Sequence, residues 1–155
     1  TQMKNKWLVI VLALIMSACQ KTEELQPIVS NGTNTGSNNN GNNKPIDQFD
    51  VTGQKLVAQG DFMSNVHPTS GNVKLYEKDG KRTLVFDDFK TDGGPDLRIY
   101  LSEDKAVSKF VEVSNKVNSG DYFVELPAAA DPKTQKFVLI WCKQFSVLFG
   151  NAELK

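Results

Sequence analysis

From Lys55 onward the sequence alternates apolar and polar residues with a period of two, and it never sustains a helical repeat. Val73 and Leu75 alternate with Lys74 and Tyr76, Leu84 and Phe86 with Thr83 and Val85, and Leu97, Ile99 and Leu101 with Arg98, Tyr100 and Ser102. Such alternation turns one face of a strand to a core and the other to water, the signature of antiparallel sheets. Phe110 to Ser114, Tyr122 to Leu126, Phe137 to Cys142 and Val147 to Leu154 are further strands. Lys78-Asp79-Gly80-Lys81 reads as a hairpin turn, and Asp92-Gly93-Gly94-Pro95 as the link between the next two strands. A short helical stretch is expected only around Glu103 to Lys109. Roughly eight strands at this spacing predict an all-β fold, a single antiparallel β-sandwich or partly open barrel. The run Phe137-Val138-Leu139-Ile140-Trp141-Cys142 is apolar on both faces and predicts a central strand covered on each side.

The segment before this domain reads differently. Lys4 and Lys6 precede an uncharged run from Trp7 to Met16. Ten helical residues rise about 15 Å, half the hydrocarbon thickness of a bilayer, which suits the apolar region of a signal peptide better than a spanning helix. Met16-Ser17-Ala18-Cys19 resembles a bacterial lipobox, with Met16 where Leu is usual; an ordinary secretory signal is the alternative. Residues 1–18 are thus expected to be a lipoprotein signal peptide and Cys19 the lipidated residue, anchored by acyl chains worth about 0.8 kcal/mol per buried methylene.

Asn31 to Asn43 contains seven Asn, three Gly, two Thr and one Ser, with no apolar surface to offset ordering. Residues 19–50 are expected to form a flexible linker, irregular through Lys44 to Asp50, and residues 51–155 the folded domain. Lys21 followed by Glu23 and Glu24 resembles a charge signal that carries some Gram-negative lipoproteins to the cell surface. The expected setting is the bacterial cell envelope, on the outer membrane and facing outward, with the membrane reached through Cys19.

Composition narrows the chemistry. Eighteen Lys plus Arg stand against 18 Asp plus Glu, so the clustered positive charge of a nucleic-acid binder is lacking. Two cysteines and one histidine exclude four-ligand zinc frameworks, four-thiolate iron–sulfur sites and the two-histidine blue-copper site. No Gly-X-Ser-X-Gly, P-loop or metalloprotease motif occurs, so no hydrolase or transferase is indicated. Asp87, Asp88, Asp92 and Asp96 lack EF-hand spacing and read as turn formers. Trp141 and Phe145 read as core.

Two residues carry candidate chemistry. Cys142, the one thiol of the domain, is either a buried, inert small hydrophobe or a working thiolate. It ends the apolar run at Lys143 and Gln144, where the chain returns to polar residues, which predicts partial access to solvent and a place beside His67. His67, in Asn65-Val66-His67-Pro68-Thr69-Ser70-Gly71, is either a turn histidine or a ligand to metal or haem.

His67-Pro68-Thr69-Ser70-Gly71, Asp88-Phe89, Gly94-Pro95-Asp96-Leu97, Tyr100-Leu101-Ser102, Tyr122, Leu126-Pro127, Trp141-Cys142-Lys143, Phe145-Ser146 and Phe149-Gly150-Asn151-Ala152 occur in one order. Together they resemble the DM-thirteen domain, or electron-transfer DM domain, found with DOMON domains in animals and often alone in bacteria. The resemblance runs from about Gly60 to Leu154. It implies an all-β domain with a characteristic cysteine, here Cys142, acting in redox chemistry as a bare thiol or a haem ligand, and it places His67 in the family's histidine-containing turn. Haem is then the candidate cofactor, and a redox protein the unidentified partner. The competing reading is a non-catalytic binding or scaffolding module in which Cys142 is packed.

Overall fold

The structure, a computed structural model, describes residues 44–155; the signal segment, Cys19 and the linker up to Asn43 lie outside them. Strands β1 (Lys44–Pro45), β2 (Lys55–Asp61), β4 (Thr69–Lys78), β5 (Lys81–Thr91) and β8 (Gly120–Glu125) form one sheet in the order β1-β8-β5-β4-β2. Strands β3 (Met63–Ser64), β6 (Leu97–Ser102), β7 (Val111–Ser114), β9 (Phe137–Cys142) and β10 (Val147–Glu153) form the other, in the order β3-β10-β9-β6-β7. All pairings are antiparallel, and the two sheets make the expected β-sandwich.

The alternation places the core as read. Val73 and Leu75 of β4, Leu84 and Phe86 of β5, and Ile99 and Leu101 of β6 belong to one buried cluster between the sheets. The β4–β5 hairpin closes through Asp79 (φ 52°) and Gly80 (φ 74°), two left-handed residues whose twist matches that of paired strands. Asp92 to Pro95, by contrast, does not close a hairpin. It carries the chain from β5 in one sheet to β6 in the other, so it lies across one end of the sandwich. Gln59 and Lys155 exchange backbone hydrogen bonds (3.0 and 2.9 Å), which stitches the sheets together along the β2 edge.

β9 is the central strand of its sheet, and both of its faces are covered. Val138, Ile140 and Cys142 face the inter-sheet core, while Leu139 joins Tyr100, Val107 and Phe110 in a second cluster on the outside. Trp141 packs half-buried on that outer cluster; Phe145 is exposed at the β9–β10 turn, contrary to its reading as core. The cover is the 103–110 segment, which is a chain of turns and not the short helix expected there. Val107 (φ 64°) and Lys109 (φ 43°) are left-handed and break any helix, and the Asp104 carboxylate accepts from the Ala106 and Ser108 N–H groups (2.9 and 3.0 Å).

These bonds, Ser108's foremost, hold the Asp104 carboxyl below the usual carboxylate range. A depressed carboxyl stabilises above its unfolded pKa and loses that contribution as pH falls through the folded one. Protection of the Ala106 and Ser108 amides, their exchange measured relative to the intrinsic rate at each pH, is therefore expected to hold at neutral pH and to fall below about pH 4, and Asp104→Ala to abolish the difference.

Residues 44–50, read as irregular linker, also differ. Lys44 and Pro45 pair with Phe123 and Tyr122, Ile46–Gln48 form a 3-10 turn, and Phe49 sits against Tyr76 and Phe123 at ring distances of 5.4 and 5.2 Å. The segment straps over the outer face of the first sheet because Val85 and Phe123 there are apolar and need cover.

Candidate functional site

Cys142 stands at the C-terminal end of β9, and it is the one free thiol among the described residues. Its relative exposure is 0%. The expected partial access is thus corrected. The physical reason lies in the neighbouring strands: Leu97 of β6 and Val147 of β10 stand directly opposite Cys142 on either side. Both pack against the inter-sheet cluster that contains the sulfur. The chain does turn polar at Lys143, whose N–H donates to the Asp96 carbonyl (2.9 Å), but by then the thiol is enclosed.

His67 is held by other partners than the sulfur. Its Nδ1 lies 3.2 Å from Asp92 Oδ2, its ring stacks on Phe149 at 3.8 Å between centroids, and its backbone N–H donates to the Phe149 carbonyl (3.3 Å). The Thr69 hydroxyl donates to the His67 carbonyl (3.2 Å), which fixes the turn from below. Phe149 links the two candidates: it carries the imidazole and also belongs to the cluster that buries Cys142. The imidazole itself remains about one-third exposed.

Asp92 was the residue missed as a partner, and a signal for it existed. Counting outward from the Asp79–Gly80 turn sets position 67 across from position 92, within the one-residue shift at Gly71. The other acidic residues of the cluster are separately engaged. Asp87 pairs with Lys74, Asp88 with Lys90 (2.8 Å), and Asp96 with Arg98 (2.5 Å). Arg98 also reaches Glu112 (2.9 Å), and its pKa is raised, first by the hydrogen bond to Asp96. Among the described residues no three His, Cys, Asp or Glu side chains converge as a metal site.

An open cleft of about 480 Å³ lies at this end of the sandwich, between the 92–96 loop and the 115–119 loop. Asp92, Gly94, Asp96, Leu97, Asn118 and Ser119 are among its walls. Leu97 is therefore shared: one side faces the cleft, and the other neighbours Cys142 across the β6–β9 ladder.

The haem implied for Cys142 by the family resemblance does not fit this arrangement. An iron ligand needs its sulfur open to the metal, and this one is packed among aliphatic and aromatic side chains. The cleft, walled largely by Asp, Asn, Ser and Gly, lacks the apolar slot that a porphyrin requires.

A family model described as Electron transfer DM13 matches residues 61–154. A search of curated proteins and a search of solved structures each return no match. The matched span takes in strands β3 to β10 together with His67, Asp92, Leu97 and Cys142, and covers more than half of the chain; the chain belongs to the electron transfer DM13 family.

Proposed function

We propose that this protein is a thiol redox module of the bacterial cell envelope, with Cys142 as the group that is oxidised and reduced. The observation that carries the reading is the family match across residues 61–154, in which Cys142 is the sole thiol. A single thiol supports exchange with a disulfide. The Cys142 thiolate attacks one sulfur of an external disulfide, a new sulfur–sulfur bond forms, and the other sulfur leaves as thiolate. The thiol proton goes to solvent before attack, so the step runs from an opened state of the site. The envelope location rests on Lys4, Lys6, the Trp7 to Met16 run and Cys19; an oxidising compartment would supply disulfides as reactants.

Burial of the sulfur favours a second reading, a binding or scaffolding module in which Cys142 only packs. Exposure of the full chain to glutathione disulfide under native conditions separates the two, with the mixed disulfide mapped to Cys142 by peptide mass. The redox reading expects adduct on the native wild type and none on Cys142→Ser. Adduct formed only after denaturation would hand the case to packing. For the location, a palmitate analogue is expected to label the wild type in cells and not Cys19→Ala; equal labelling would refute the anchor.

A further inference from the structure

The thiol assigned above is sealed, so something must control its opening, and one chain of contacts leads from the surface to the sulfur. Asp92 pairs with the His67 imidazole, and that ring stacks on Phe149. Phe149 reaches under the loop at Gly94: a Cβ built there would stand 3.1 Å from Phe149 Cζ and 2.9 Å from Leu97 Cδ2. Leu97, finally, is the neighbour of Cys142 on β6. The loop backbone thus rests on the two side chains, Phe149 and Leu97, that lie toward the core cluster holding the thiol.

We infer that the 92–96 loop is a gate over Cys142, latched by His67 through its pair with Asp92 and its stack on Phe149. The inference rests on the reading of Cys142 as the working thiol and adds the regulation of its access. The loop suits such a part. It joins strands of different sheets, so no hairpin ladder pins residues 92–95, while Asp96, held by the Lys143 N–H and by Arg98, is the fixed end about which they would move. Gly93 and Gly94 give it backbone freedom, and the cleft between it and the 115–119 loop leaves space beside it. The latch is weak by construction: one partly exposed hydrogen bond and one ring stack, which a partner or a small reactant can outcompete. Lifting the loop would leave Leu97 as the last side chain before the sulfur. His67 is then a positioning residue that acts through Phe149 and the loop, without touching the thiol.

The test is native-state alkylation of the full chain with iodoacetamide, scored at Cys142 by peptide mapping so that Cys19 does not contribute. His67→Ala and Asp92→Asn undo the latch, and Gly94→Ala wedges the loop upward against Phe149 and Leu97. Each is expected to label about tenfold faster than wild type, beyond what its measured unfolding free energy explains. Gly80→Ala, in a turn with open space around it, is expected to change labelling only as far as it changes global stability. Labelling rates that follow global unfolding one for one in every variant would overturn the gate, as would native labelling that is absent in all of them. If His67→Ala fails to fold, the other two variants still decide. A gate that opens while disulfide exchange at Cys142 fails would sink the redox reading alone. Exchange that proceeds at the same rate in all latch variants would sink the gate alone.

Discussion

Gly71→Ala is expected to lower the unfolding free energy by about 3 kcal/mol, combining left-handed backbone strain with overpacking. Gly71 adopts φ 107°, a region that L residues with a side chain rarely enter. A Cβ at that position would stand 2.7 Å from Phe89 Cα and 2.8 Å from the Asp87 and Asp88 carbonyl oxygens. All three are backbone atoms, so no side chain can swing away to relieve the contact. The glycine lies at the irregularity between Ser70 and Asn72 in the β4–β5 ladder, and its carbonyl accepts from the Phe62 N–H (2.9 Å). Gly80→Ala provides the comparison. Gly80 is also left-handed, at φ 74°, but a Cβ there meets nothing within 4 Å, so only the backbone term applies, about 1 kcal/mol. Urea denaturation of both variants measures the difference, and equal losses would show that the close approach of β5 is not what demands glycine at position 71.

The residues that made the fold legible were those whose partners are near in sequence. Val73 and Leu75 alternate cleanly because β4 has one face buried and the other only half-buried, and Asp79-Gly80 at its end admits few conformations other than a tight hairpin to β5. Phe137 to Cys142 was readable as central for the opposite reason, since alternation fails only where both faces are packed. Legibility ended where long-range contact decided the outcome. Val107 and Phe110 have the spacing of a helical face, yet Asp104 captures the local N–H groups and leaves the two side chains to be buried from a run of turns. Phe49 is a lone aromatic in polar chain; its place on Tyr76 and Phe123 depends on an apolar outer face built much later in the sequence. Cys142 shows the limit most clearly. Lys143 and Gln144 announce a return to water along the chain, but the thiol is covered by Val147 on one side and on the other by Leu97, which is far away in sequence and stands opposite Cys142 through the β6–β9 ladder.

Phe86→Ala is expected to cost about 4 kcal/mol, close to the limit that a domain of this size tolerates. The ring is fully buried and stacks on Tyr122 at 4.5 Å, with Phe89 and Phe62 at 5.5 and 5.8 Å. Removing it opens a cavity among rigid aromatic neighbours that cannot collapse into the space. Phe49→Ala removes a ring with two aromatic partners at similar distances, but from a strap in which no residue is buried, and the expected loss is about 1 kcal/mol. Denaturant midpoints of the two variants test whether burial or ring contact sets the scale; similar losses would mean that the strap matters to the whole fold. The pair also calibrates the thiol. Phe86 shares the inter-sheet cluster with Phe149 and Cys142, but its ring partners are Tyr122, Phe89 and Phe62 and not the His67–Phe149 stack, so added alkylation of Cys142 in Phe86→Ala is expected to track the lost stability of the sandwich. Its labelling rate against its lost stability defines the line for global opening, and His67→Ala, Asp92→Asn and Gly94→Ala are expected to fall above that line, because they open the end of the sandwich over Cys142 without melting the core beneath it.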